Sequence, residues 1–165
     1  MSQPSTAQPP TAPYLFGDLL ALARQSWVRQ MAARLDQLGY PDYRRSDAAA
    51  VRFLRRRPAP VGQLAAVLGV TRQAARKAAG GLQQRSYART ERDPADSRKL
   101  NIVLTARGEA YAQAIVAVID ELNLELCLRV DPTQLAAADA ILRAAISAGD
   151  DDLRAAAQRI RPPPG

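Results

Sequence analysis

The chain has 165 residues, enough for one domain of ordinary size with a real core. Lys and Arg total 23 against 16 acidic residues, and a formal charge of +7 favours a polyanionic partner, either nucleic acid or an acidic membrane surface. There is no histidine and a single cysteine, Cys127, so the composition offers no intramolecular disulfide, no cysteine-based metal cluster and no histidine base.

Met1 to Pro13 is rich in Pro, Ser, Thr and Gln, lacks the apolar stretch of a signal peptide, and is expected to form a disordered leader (1–13). No apolar run approaches membrane-spanning length, so a cytoplasmic protein is expected. From Tyr14 to Leu38, apolar residues recur at threes and fours (Leu15, Leu19, Leu22, Val28, Met31, Leu35), and Gly39 supplies a stop. This predicts a long helix within segment 14–40. After Pro41, a short break holds Tyr43, Arg44 and Arg45. Ser46 is then the expected cap of a second helix reaching Arg56, with Ala50, Val51 and Leu54 facing inward.

Val61 to Leu68 reads as a short helix closed by Gly69, with Leu64, Ala65 and Leu68 on one side. Val70 and Thr71 form a turn, and Thr71 caps a further helix to about Gln84. Two short helices joined by a tight turn containing Gly are the helix-turn-helix pattern. Tyr87 to Glu91 and Leu100 to Leu104 have strand character, the second alternating Leu100, Ile102 and Leu104 with Asn101 and Val103. A polar, turn-rich loop from Arg92 to Lys99 joins them, so a hairpin wing follows the helix-turn-helix and completes segment 41–105.

Thr105 caps a long helix from Ala106 to about Arg129, with Tyr111, Ile115, Val118, Ile119, Leu122 and Leu126 on its apolar face. Among such residues Cys127 is expected to be a buried, inert packing residue. After Asp131-Pro132, Thr133 caps another helix carrying Leu135, Ala138, Ile141, Leu142, Ala145 and Ile146, which completes 106–149. Segment 150–165 holds a short helix to Ile160 and a Pro-rich tail. The expected fold is mainly α with a small β-hairpin: a winged helix-turn-helix lobe and a helical dimerisation lobe built from the N- and C-terminal helices.

On a wheel of about 100° per residue with Arg72 at zero, Gln83, Arg76, Gln73, Gln84 and Lys77 fall between roughly 20° and 140°. Ala74, Ala78, Leu82, Ala75 and Ala79 fall between roughly 200° and 340°. One face is therefore small and apolar, fit for close packing, and the other carries the donor and acceptor types that read guanine and adenine edges. Arg72, Gln73 and Arg76 lie in the first turns, the part of a recognition helix that reaches bases. At the wing, Arg92, Arg98 and Lys99 suit a narrow minor groove, and Asp96 is spaced to orient Arg98. The expected DNA-facing set is Thr71, Arg72, Gln73, Arg76, Lys77, Arg89, Arg92, Asp96, Arg98 and Lys99.

These residues together resemble the MarR family of bacterial transcriptional regulators. Leu82, Tyr87 and Arg89 match the family's Leu-x-x-x-Gly-aromatic-x-Arg segment, with Ser86 standing where the family has Gly. Asp93-Pro94-Ala95-Asp96-Ser97-Arg98 matches the wing motif Asp-Pro-x-Asp-x-Arg, and Leu104-Thr105-Ala106-Arg107-Gly108 matches Leu-Thr-x-x-Gly. Ser86 predicts a differently shaped helix end, and Gly80-Gly81 predicts bending or fraying of the recognition helix.

The resemblance implies a homodimer joined through its first and last helices, with Leu15, Leu19, Leu22, Leu122, Leu126, Ile141, Leu142 and Ile146 at the interface. Leu124 and Leu128 also call for a partner on apolarity alone. It further implies a repressor that leaves an inverted-repeat operator when a small, often aromatic, acid binds between stem and lobe. Trp27, Tyr40 and Tyr43 are the candidate pocket residues; Tyr14 and Tyr111 lie in the same segments. No metal, cofactor or catalytic residue is expected, since no Gly-rich phosphate loop or paired acids in a cleft are present. The alternatives are a winged-helix protein-interaction module and a non-specific DNA-binding protein.

Overall fold

The computed structural model describes residues 16–96, 98–147, 149 and 151–158. The expected leader, Tyr14, Leu15, the wing residue Ser97 and the Pro-rich tail lie outside them.

Helix α1 (Phe16–Gln37) touches the rest of the protomer mainly through its C-terminal half, where Met31 and Leu35 are buried. Arg34 fastens that half to α5 (Ala106–Cys127) by two bonds to the Glu125 carboxylate at 2.7 and 2.8 Å. Gly39, with φ of 86°, reverses the chain, and the Tyr40 N–H closes onto the Leu35 carbonyl at 2.8 Å. Helix α2 (Asp47–Leu54) buries Ala50, Val51 and Leu54 as its spacing predicts. Ser46 does not act as the expected cap: its own backbone is helical and its hydroxyl makes no capping bond. The Asp47 carboxylate instead accepts the Arg44 N–H at 2.9 Å.

Helices α3 (Val61–Leu68) and α4 (Arg72–Gln84) form the helix-turn-helix. Gly69 ends α3 in the left-handed conformation, and the Thr71 hydroxyl caps α4 by accepting the Ala74 N–H at 3.2 Å. The small residues Ala75 and Ala79, with Leu82, let α4 pack tightly on the core. It runs unbroken as an α-helix through Gly80-Gly81 to Gln84, so the expected fraying is absent. Ser86 likewise corrects the expectation drawn from its missing glycine. It takes φ of 61°, the left-handed geometry a glycine would supply, and its carbonyl accepts the Thr105 hydroxyl at 2.7 Å.

Strands β1 (Ala88–Arg92) and β2 (Leu100–Leu104) pair antiparallel, with Ala88 opposite Leu104 and Arg92 opposite Leu100. Ala59 adds a bridge to Ile102 that ties the hairpin's base to the loop before α3. The predicted alternation in β2 fails at its outer end: Leu100 is exposed, whereas Asn101 is buried and donates to Asp93 Oδ2 at 2.9 Å. Polar satisfaction inside the wing outweighs the hydrophobic pattern there.

Thr105 caps α5 through the Gly108 N–H at 3.0 Å. Tyr111, Ala112, Ile115, Val118 and Leu122 bury against α1 and α2. Leu122, expected at a dimer interface, is instead packed in the chain's own core. Cys127 is exposed at the end of α5, not buried as expected, because Leu124, Leu126 and Leu128 beside it are themselves uncovered. Helix α6 (Pro132–Ser147) is capped by Asp131 and not by Thr133: Asp131 and Gln134 exchange two backbone-to-side-chain bonds at 3.0 Å each. No residue of α6 is buried in the chain. Helix α7 (Asp151–Gln158) is held to it by Arg143, which donates to the Ala157 carbonyl at 2.8 Å.

Candidate nucleic-acid interface

The buried side of α4 faces Leu82 and Ala75, which places Gln73 at the crown of the opposite, exposed side. Arg72, Arg76 and Gln83 occupy one flank, facing the wing. Together with Arg98, Lys99 and Gly62 they line an open hollow of about 850 Å³ between α3, α4 and the hairpin. Four cations predicted separately from helix and wing thus share one surface. The Arg72 guanidinium lies over Gly62, where an added Cβ would sit 3.6 Å from it. Gln83 is not a free reader: its amide donates to the Thr90 hydroxyl at 2.5 Å and joins α4 to β1.

The wing tip is shaped by its two acids. Asp93 accepts the Ala95 N–H at 2.8 Å and the Asn101 amide at 2.9 Å, and these bonds, Asn101 first, hold its carboxyl below the usual range. Asp96 accepts the Arg98 N–H at 3.1 Å, lies 3.4 Å from its Nε, and sits 3.5 Å from Lys99 Nζ. The predicted Asp96–Arg98 pairing is therefore present, and it leaves the Arg98 side chain 91% exposed. Arg89 and Arg92 project from β1 outside the hollow, with Arg89 paired to Glu91 at 2.6 Å. Lys77 lies on the other flank of α4, beside Arg44 and Arg45.

Behind this surface lies a polar cluster that the periodicity did not reveal. Arg85, the C-cap of α4, donates to Asp47 Oδ2 at 2.8 Å, to Oδ1 at 3.0 Å and to the Asp42 carbonyl at 2.8 Å. The Tyr111 hydroxyl donates to Asp47 Oδ2 at 2.7 Å, and the Tyr87 hydroxyl to Asp42 Oδ1 at 2.7 Å. The Tyr87 and Tyr111 rings stack 4.2 Å apart. Burial first, then Asp47, pushes the Tyr111 pKa well above the ordinary tyrosine value. The cluster fixes the end of α4 to both α2 and α5. Its only trace in the sequence was Asp47 on an otherwise apolar helical stripe.

None of the three candidate effector residues is among those lining the hollow beside α1. Tyr40 packs on this cluster, with its ring 5.0 Å from Tyr111, while Trp27 and Tyr43 lie half-buried against the core. A hollow of about 520 Å³ between α1 and the lobe is lined instead by Leu22, Arg24, Val28, Arg29 and Arg45. Among the interface candidates in the described residues, Leu19, Leu22, Leu126, Ile141 and Leu142 are exposed, and Ile146 is half-buried.

A helix-turn-helix followed by a two-stranded hairpin, with cations on the recognition helix and at the hairpin tip, defines a winged-helix protein. Residues 42–99, the segment that holds the helix-turn-helix and most of the hairpin, match the profile of the MarR family. No curated protein sequence matches the chain.

Solved structures share the fold. The MepR–DNA complex of S. aureus aligns with a TM-score of 0.71 at 17% identity, covering 82% of this chain and 99% of that one. BpsR of Bordetella bronchiseptica, described with a mechanism for regulation of its DNA binding by 6-hydroxynicotinic acid, aligns at 0.67 and 20% identity over 87% and 100%. A mutant of MarR from E. coli complexed with operator DNA aligns at 0.66 and 20% identity over 79% and 92%. Among the described residues, no helix is long and apolar enough to cross a membrane.

Proposed function

We propose that the chain is a homodimeric transcriptional regulator that binds double-stranded DNA in a sequence-specific way, with α4 in the major groove and the wing in the adjacent minor groove. The observation that carries this is the hollow that brings Arg72 and Arg76 of α4 together with Arg98 and Lys99 of the wing. Arg and Gln on the exposed side of α4 supply the donors and acceptors for base edges, and the wing tip supplies charge for a narrow groove. The DNA complexes of MepR and MarR, which share the fold, support the same use of it.

The homodimer is supported by Leu19 and Leu22 of α1, Leu124, Leu126 and Leu128 at the end of α5, and Ile141 and Leu142 of α6, apolar side chains that the chain itself leaves uncovered. Repression relieved by a small acid is the finer part of the proposal. It is supported by the regulation of BpsR by 6-hydroxynicotinic acid. The three arginines beside apolar residues at the α1 hollow suit an apolar anion of that kind.

Selection of bound duplexes from a random pool near physiological salt tests the proposal. Enrichment of an inverted repeat with half-sites about one helical turn, ~34–36 Å, apart is expected. Binding without enrichment would contradict sequence-specific reading and leave a phosphate-driven binder.

A further inference from the structure

We propose that Arg44 and Arg45, together with Lys77, form a second phosphate-binding rim on the flank of α4 that faces away from the wing. There they take the backbone strand on the far wall of the groove that α4 enters. The inference rests on the DNA-binding reading above and deepens it by adding residues from outside the helix-turn-helix and the wing.

Three observations converge. First, a hollow of about 410 Å³ is lined by Arg44, Arg45 and Lys77 around apolar Leu68, Val70 and Ala74. On α4 its lining residues lie half a turn from Arg72 and Arg76, so the two hollows border opposite flanks of the helix, with Gln73 between them. A helix with its side chains is ~10–12 Å across and a major groove ~12 Å wide, so a helix seated there meets a backbone wall on each flank. The wing accounts for only one of those walls.

Second, α4 is notched to receive Arg44. A Cβ added at Gly81 would lie 2.8 Å from Arg44 Nη1, and Gly81 sits on the same flank as Lys77. The helix-weakening Gly81 is where the Arg44 guanidinium lies along an intact helix.

Third, the charges on this rim are uncompensated. Among the described residues, no carboxylate lies within ion-pair distance of the side chains of Arg44, Arg45 or Lys77. The nearest buried acid, Asp47, is bound to Arg85 and Tyr111. A cluster of three cations without acidic partners favours an anionic occupant, and a phosphate strand supplies charge at regular spacing along such a flank.

The test measures the affinity of the wild type and of Arg44→Ala, Arg45→Ala and the double variant for one enriched duplex across a salt series. A panel of single-base variants of that duplex is measured at one salt concentration. Each Arg→Ala change is expected to weaken binding to all duplexes alike and to lower the salt slope by about 1, with Arg44→Lys retaining the wild-type slope. Gly81→Ala, which keeps both arginines but displaces the Arg44 guanidinium, is expected to weaken binding while leaving the fold intact by circular dichroism. A double variant with the wild-type slope and affinity would overturn the rim, as would altered base preference with an unchanged slope. A wild type that binds no duplex would overturn the DNA-binding reading and the rim with it.

Discussion

Arg85 at the end of the recognition helix and Asp47 at the start of α2 form a two-bond ion pair, 2.8 and 3.0 Å, in which the side chains are only 9% and 2% exposed. With the Tyr111 hydroxyl on the same carboxylate, this pair is the junction between the winged-helix lobe and the long helix α5. Desolvating two charges weakens the net gain from such a pair, yet removing one partner leaves the other buried and uncompensated.

Arg85→Ala is therefore expected to destabilise the protomer by about 3–5 kcal/mol. Tyr111→Phe, which removes one bond to a charged acceptor and keeps the ring stack, is expected to cost about 1.5–3 kcal/mol. Urea unfolding followed by circular dichroism checks both; equal stability of Arg85→Ala and wild type would remove the pair from the account.

The tyrosines give the stability an alkaline limit. Burial, followed by Asp47 for Tyr43 and Tyr111 and by the Asp42 hydrogen bond for Tyr87, raises all three above the ordinary value of about 10. A raised folded-state pKa means that the unfolded chain loses these protons first as pH rises. The stability is then fully present below about pH 10 and lost above it. Urea midpoints should be flat from pH 7 to 9 and fall above about pH 10, with tyrosinate absorbance appearing together with unfolding.

Gly108 explains its place in the Leu-Thr-x-x-Gly segment sterically. A Cβ there would collide with the Tyr87 carbonyl, part of the backbone that leads into β1. Because that carbonyl also accepts the Thr105 N–H at 3.1 Å, it has little room to shift. Gly108→Ala is expected to cost about 1–3 kcal/mol or more through overpacking, read as a lower thermal midpoint.

Helix and wing should fail differently. Arg72→Ala or Gln73→Ala is expected to cost about 1–3 kcal/mol on the preferred duplex and to relax the preference at one base pair. Arg98→Ala should instead weaken binding to all duplexes and reduce the salt slope by about 1. Titration of a matched set of duplexes, each differing at one position, separates the two patterns.

Much of this architecture was legible because local signals agreed. The Thr71 and Thr105 caps, the Gly69 stop and the alanine face of α4 each specify the same geometry that packing then uses. The pattern of apolar residues misleads where a polar side chain finds a local partner that the pattern does not count. Asn101 is buried because Asp93 receives it, and Asp131 displaces Thr133 as cap because Gln134 reciprocates. At Ser86 the side chain makes the left-handed geometry more costly without preventing it. The Arg85–Asp47 junction and the setting of Arg44 and Arg45 depend on residues about 40 positions apart in the chain being brought together. No periodicity within a single segment carries that information.

The central claim, that α4 and the wing together read a duplex, is tested most directly by comparing affinities for the enriched inverted repeat and for a scrambled duplex of the same length and composition, at one salt concentration. Binding to the enriched sequence is expected to be at least ~10³-fold tighter. Equal affinity for the two would contradict it.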